Sequence, residues 1–236
     1  VSECTIDVAK GIDQARFPDL QSRVLVVCTI ITIIDGHDTQ MIGFAVPAMA
    51  GDWGVSPQSF TAAATVGLIG LTVGGIIASA IGKRFGRRRI LLASIAVFSV
   101  GTLATALATT PVELVVLRLL TTLGMGGLLP NLVAVIPEYC PARRRLMSVT
   151  IDLAGLGLGG VLVGFVAVWV LPAAGWQGMF VAGGAAGLCC GALAMVAVPD
   201  SIRFFTVIGR YDTVRELLAR ITGSAAAGNT DIARTS

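Results

Sequence analysis

The sequence predicts an all-α membrane protein of six transmembrane helices, arranged as a 3+3 inverted repeat. Three observations predict it. The 236 residues are 55% hydrophobic and only 13% charged, where a soluble domain carries about 25% charged residues. Six apolar stretches are each long enough to cross a hydrocarbon core of about 30 Å at about 1.5 Å per residue. The basic residues fall almost entirely between alternate stretches. This composition excludes an ordinary cytosolic enzyme, a disordered chain and a nucleic-acid-binding domain.

Residues 1–23 form a tail in which Lys10, Arg16 and Arg23 are offset by Glu3, Asp7, Asp13 and Asp19. A secretory leader needs a basic, shorter start, so this is read as a cytoplasmic tail. The bundle occupies 24–198. Its spans run from Val24 to Met49, Phe60 to Gly82, Ile90 to Ala108, Val112 to Val135, Leu146 to Leu171 and Trp176 to Val198. Lipid cannot satisfy an open sheet edge, so apolar runs of this length are helices. Residues 199–236 begin a cytoplasmic loop, with a short amphipathic helix over Tyr211 to Thr222.

Sixteen of the 17 Lys and Arg residues lie in the two tails, in 83–89 and in 138–145. The intervening loops near Asp52, Thr109 and Ala173 have none. Basic residues stay on the cytoplasmic side, so both termini are expected there, in a multi-pass plasma (inner) membrane protein. Trp53, Trp169 and Trp176 fall near the opposite boundary, where amphipathic rings anchor. The basic loops read as a topology signal with lipid headgroup contact, not as a nucleic-acid site.

Glycine pairs four apart, Gly70/Gly74, Gly160/Gly164, Gly183/Gly187 and Gly187/Gly191, let helix backbones approach closely. The run from Gly155 to Gly160 matches G-x-G-x-x-G by spelling. A dinucleotide site needs a preceding strand and an acid about 20 residues later, and this run lies mid-span with no acid between Asp152 and Asp200. It is read as a packing seam. The five cysteines show no metal-ligand spacing. No metal, cofactor or enzymatic motif is indicated, H-E-x-x-H and G-x-S-x-G being absent.

Ionisable groups in hydrocarbon are functional candidates by default. The first span holds Asp35, His37 and Asp38. Asp35 and Asp38 share a helix face, and Asp35 lies roughly 17 Å into the span, near the midplane. A carboxyl that gains and loses a proton there is what a proton-coupled carrier needs; the plain alternative is a hydrogen bond to a neighbouring helix. Arg118, in the fourth span, cannot shed its charge and needs an anion: Asp35, Asp38, Asp152 or a substrate. His37 and Asp152 are further candidate polar groups of a cavity, against a His37 that points away and an Asp152 solvated near the cytoplasmic end. Asp35, Gly43 and Pro47 are spaced as Arg118, Gly126 and Pro130 are, an internal echo that supports the inverted repeat.

These segments resemble the N-terminal half of the major facilitator superfamily, specifically its aromatic acid:proton symporter family. Asp35-Gly36-His37-Asp38 resembles the first-helix D-G-F-D signature. Arg118 to Asn131 resembles the fourth-helix R-x-x-x-G-x-G-x-G-x-x-x-P-N pattern. Glu138-Tyr139-Cys140-Pro141 resembles E-Y-x-P, Pro199 to Phe204 resembles P-E-S-x-R-F, and Arg84, Gly86, Arg87 and Arg88 resemble the gating loop D-R-x-G-R-R. His37 replaces a Phe, Thr122 replaces a Gly, and Lys83 stands where the gating loop has Asp.

The resemblance implies half of a twelve-helix fold and a symporter that imports an aromatic carboxylate, such as a hydroxybenzoate, with a proton. Asp35 and Asp38 would handle the proton and substrate, and Arg118 would meet the carboxylate or pair with those acids. The partners implied are the aromatic carboxylate, the lipid bilayer, and a C-terminal half or a second copy. The competing expectation is a truncated or degenerate membrane protein that does not transport.

Overall fold

The computed structural model describes residues 18–140 and 142–197. The tail ahead of residue 18, the amphipathic helix expected over Tyr211 to Thr222, and the segment from Pro199 to Phe204 lie outside the described residues. Among the described residues the structure is helical without strands. Helix α1 spans Pro18–Trp53, α2 Thr61–Phe85, α3 Arg87–Thr105, α4 Pro111–Gly126, α5 Leu128–Tyr139 and α6 Arg145–Ala197.

The fourth expected span is α4 and α5 together. They meet at Gly127, whose backbone stays close to helical. Helix α4 starts on a local signal: Thr110 caps it by accepting from the Glu113 N–H at 3.2 Å, Pro111 follows, and Glu113 reaches back to the Thr109 N–H at 2.8 Å. Ends of this kind satisfy donors that have no partner inside the helix.

Helix α6 has 53 residues and would be about 80 Å long if straight, far beyond a bilayer core. It is broken at Gly175, whose φ of 65° and ψ of −170° are open to glycine but strained for other residues. Packing shows the chain reversing there. Along the first limb, Gly155 sits against Thr29, Gly159 against Ile33 and His37, and Gly164 against Phe44, so this limb runs parallel to α1. Along the second limb, Gly184 sits against Leu103 and Ser99, Gly187 against Ser99 and Phe98, and Gly191 against Ile95, antiparallel to α3. The five long apolar helices, the last of them folded back, are compatible with the six crossings expected.

The Gly70/Gly74 seam does what its spacing suggests. A Cβ on Gly74 would strike the Leu123 carbonyl, and one on Gly126 the Leu71 carbonyl, so α2 and α4 touch backbone to backbone. The G-x-G-x-x-G run is a seam as well, Gly159 lying on the Ile33 carbonyl. Gly160 and Gly164 meet the side chains of Gln40 and Phe44 instead of a backbone, because the backbone crossing of α1 and α6 falls at Gly36 and Gly159.

The segment 83–89 is not a loop. Helix α2 continues to Phe85 and α3 begins at Arg87, with Gly86 alone between them at φ 94°. Trp176 is also not an interfacial anchor. It is 1% exposed, packed between Trp53 and Phe180, and its Nε1–H donates to Asp52 Oδ2 at 2.8 Å. Trp169 does project outward, 79% exposed.

The core divides into two apolar clusters. One lies toward the basic end and includes Cys28, Ile31, Ile95, Phe98, Leu132 and Ala194. The other lies toward the tryptophan end and includes Met41, Met49, Leu114, Val163, Trp176 and Phe180. The outer faces are apolar too, as Leu68, Ile76, Val161, Phe165 and Val168 show. Exposed apolar faces of this extent suit lipid or another protein surface, not water.

Candidate functional site

Between the two clusters lies a polar layer. Asp35 and Asp38 from α1, Thr102 from α3, and Arg118 and Thr121 from α4 are all buried. Small residues bring these helices together: a Cβ on Gly101 would strike Thr121, and one on Gly124 would strike the backbone of Phe98 and Ser94. That close crossing of α3 and α4 sets Thr102 and Arg118 on the same carboxylate.

Asp38 is the centre of the layer. Its Oδ2 accepts from Arg118 Nη1 at 2.9 Å, and its Oδ1 accepts from Thr102 Oγ1 at 3.0 Å. The Arg118 and Asp38 side chains are 5% and 0% exposed. A guanidinium stays charged in any protein environment, and an isolated charge in a low-dielectric interior is strongly disfavoured. Of the four anions open to Arg118 on sequence, the structure pairs it with Asp38.

Asp35 is held differently. It is 3% exposed, yet its Oδ1 has no hydrogen-bond partner. Its backbone carbonyl accepts from the Thr39 hydroxyl at 2.8 Å, and among the described residues its carboxylate has no hydrogen bond. The two acids share a face of α1, but one is neutralised and the other is not. His37 is half-buried on the side of α1 that meets Gly159.

Asp152 is not solvated. It is 0% exposed, and its Oδ1 accepts from Thr32 Oγ1 at 3.1 Å. Thr32 and Thr102 are the polar partners that sequence reasoning missed. A threonine in an apolar span commonly hydrogen-bonds its own helix, as Thr105 and Thr121 do here, so its type carries no signal of an acid across the interface.

The residues expected to form a gating loop lie away from this layer. Gly86 makes the turn between α2 and α3, and Arg88 Nη2 donates to the Met195 carbonyl at 2.6 Å, tying that turn to the end of α6. Arg84 lies over the Phe85 ring. Among the described residues no cluster of His, Cys, Asp and Glu has metal-binding geometry.

Comparison with known proteins places this arrangement. The Major Facilitator Superfamily matches residues 28–204. The chain belongs to that superfamily. Among characterised relatives of this facilitator chain, a gallate transporter of Pseudomonas putida is 35% identical over 227 residues, covering 96% of this chain and 51% of the relative. The 4-hydroxybenzoate transporter PcaK of Acinetobacter baylyi is 36% identical over 228 residues, covering 96% of this chain and 50% of the relative. The chain thus spans about half the length of these relatives.

Among solved structures, the proton:xylose symporter XylE bound to 6-bromo-6-deoxy-D-glucose superposes with a TM-score of 0.75 at 23% identity, over 88% of this chain and 50% of that one. The inward open XylE of E. coli gives 0.73 at 21% identity, over 88% and 54%. These likenesses show the facilitator fold. The facilitator chain carries its buried ion pair between α1 and α4, its first and fourth helices.

Proposed function

We propose that this chain is the N-terminal six-helix half of a proton-coupled symporter that imports aromatic carboxylates of the hydroxybenzoate type. The observation that carries the reading is the buried Asp38–Arg118 pair beside an Asp35 whose Oδ1 has no partner.

The coupling follows from charge. In the empty site the guanidinium is balanced by Asp38. A substrate carboxylate that takes the planar fork of Arg118 displaces Asp38 from it. Asp38 then stands as a second anion in a dry layer, and such a charge is costly unless it is neutralised. One proton on the Asp35/Asp38 face restores the balance. The layer therefore carries the same net charge empty and loaded only when a proton accompanies each carboxylate. No cofactor enters, and the proton is the coupling ion.

The substrate class is supported by the relatives. Gallate and 4-hydroxybenzoate are both benzene rings bearing a carboxylate, and a benzoate transport protein of Acinetobacter baylyi is 27% identical over 224 residues. The membrane is read as the plasma (inner) membrane, with the basic end cytoplasmic. Alternating access takes two bundles rocking about a shared site. The second bundle is a C-terminal half, or a second copy of this one.

The test is uptake of labelled 4-hydroxybenzoate by proteoliposomes holding the full-length protein, with and without an inward proton gradient. Accumulation that a protonophore collapses is expected. Uptake indifferent to the protonophore removes proton coupling, and no uptake of any aromatic carboxylate removes the substrate class.

A further inference from the structure

One buried acid is not used by the coupling scheme. Asp152, on the first limb of α6, is fully buried and keeps Oδ2 without a hydrogen-bond partner, while Oδ1 accepts from Thr32. An acid left half-satisfied in the interior calls for an explanation. Its surroundings form a line. Thr29, Thr32 and Asp35 lie three residues apart along α1, so each is one turn nearer the basic end than the next. Thr29 Oγ1 is also buried without a partner. The limb presses on this face of α1, a Cβ on Gly155 falling 3.2 Å from the Thr29 carbonyl.

The titratable groups facing Asp152 are Asp35 and Cys28 from α1, and Cys28 also faces Cys140 at the end of α5. Cys140 in turn donates to Ser148 Oγ at 3.3 Å, and its carbonyl accepts from Arg145 Nε at 3.2 Å. Asp152 thus stands between the polar layer and the first turn of α6, where Arg145 marks the basic end.

We propose that Asp152 is a second proton-carrying carboxyl, which receives the proton from Asp35 through the Thr32 hydroxyl and passes it toward the basic end. This rests on the proton-coupled reading above. The step balances. The Asp35 carboxyl, one turn from Thr32 on the same helix and not bonded to it at rest, turns onto Thr32 Oγ1 and hands over its proton, while Thr32 releases its own along the existing hydrogen bond to Asp152 Oδ1. Asp35 ends as a carboxylate, Asp152 as a carboxylic acid, and Thr32 is unchanged. When alternating access admits water from the basic end, that water takes the proton from Asp152, and the Asp38–Arg118 pair need not open for the proton to leave.

The test compares Asp152→Asn, Asp152→Glu, Thr32→Val and Thr32→Ser in the full-length protein in proteoliposomes, reading proton-driven uptake of 4-hydroxybenzoate against energy-independent exchange. Asp152→Asn and Thr32→Val are expected to lose proton-driven uptake by roughly 100-fold while keeping exchange, as removal of a proton-transfer group does. Asp152→Glu and Thr32→Ser are expected to restore it, which a merely structural role would not predict. If the parent accumulates substrate and Asp152→Asn accumulates it equally well, the relay is wrong and the symport reading stands.

If the parent itself does not accumulate substrate, the symport reading fails, and the relay is judged by pH-difference infrared spectra of the purified protein. A carboxylic-acid carbonyl band that disappears in Asp152→Asn and moves in both Thr32→Val and Asp35→Asn supports proton exchange between the two acids. Spectra of Asp152→Asn that superimpose on the parent overturn it.

Discussion

Asp35→Asn and Asp38→Asn are the same chemical change made three residues apart on α1, and the structure predicts very unequal consequences for stability. In Asp38→Asn the amide oxygen still accepts from Thr102, so that bond survives. What is lost is the negative charge facing Arg118, which is buried and cannot deprotonate. Breaking a buried ion pair from one side costs about 3–5 kcal/mol, a large part of the 5–15 kcal/mol by which a typical protein is stable. In Asp35→Asn the oxygen Oδ1 had no partner to lose, so the change is expected to stay within about 1 kcal/mol of the parent. The double variant Asp38→Asn/Arg118→Leu removes both charges and is expected to recover most of the loss, because no buried charge is left without a partner and the Asn oxygen keeps Thr102. The assay is equilibrium unfolding of the purified protein in mixed micelles, followed by circular dichroism, with the parent, Asp38→Asn, Arg118→Leu and the double variant forming a cycle around the pair. A coupling of about 2 kcal/mol or more is expected. If Asp35→Asn and Asp38→Asn unfold alike, or if the double variant loses the sum of its singles, the ion pair does not hold α1 to α4 and the charge-balance account of coupling loses its footing.

Gly126→Val drives a side chain into the Leu71 carbonyl and the Gly75 amide; forced overpacking of this kind costs about 1–3 kcal/mol, and thermal melting is expected to show it, whereas Gly43→Ala, which meets nothing within 4 Å, melts like the parent. Trp176→Phe keeps the aromatic contacts but removes the donor to Asp52, and a hydrogen bond to a charged group is worth about 1.5–3 kcal/mol, so the same melt is expected to fall with the rings still packed. For topology, Ala174→Cys beside the Gly175 turn is expected to react with an impermeant thiol reagent added outside intact cells, and Arg84→Cys only after permeabilisation, in a background with the native cysteines replaced; external labelling of Arg84→Cys inverts the orientation.

The class of the fold was legible in the sequence, and so were the charged residues buried within it. An apolar run of membrane length has one outcome in lipid, a helix, because its backbone must satisfy itself. For the same reason Asp35, Asp38, Arg118 and Asp152 were conspicuous from their types and depths alone, since charge in hydrocarbon is rare. The N-terminus of α4 was also written locally, in Thr110-Pro111-Val112-Glu113. Only the tertiary structure decided partnership. Arg118 had several anions within the same few residues of depth, and the choice of Asp38 depends on how closely α3 and α4 cross at Gly101 and Gly124, which no single helix encodes. Thr32 met Asp152 where α1 and α6 cross at Gly155 and Gly159, and Thr102 met Asp38 across α1 and α3, while Thr105 and Thr121, of the same residue type, turned to their own backbones. The run around Gly175 likewise reads as two spans by length, but the reversal rests on one backbone angle and on the packing of each limb against a different helix. Depth and type are properties of one strand of sequence in a solvent of known polarity; pairing is a property of distances between helices, set by where small side chains let backbones meet.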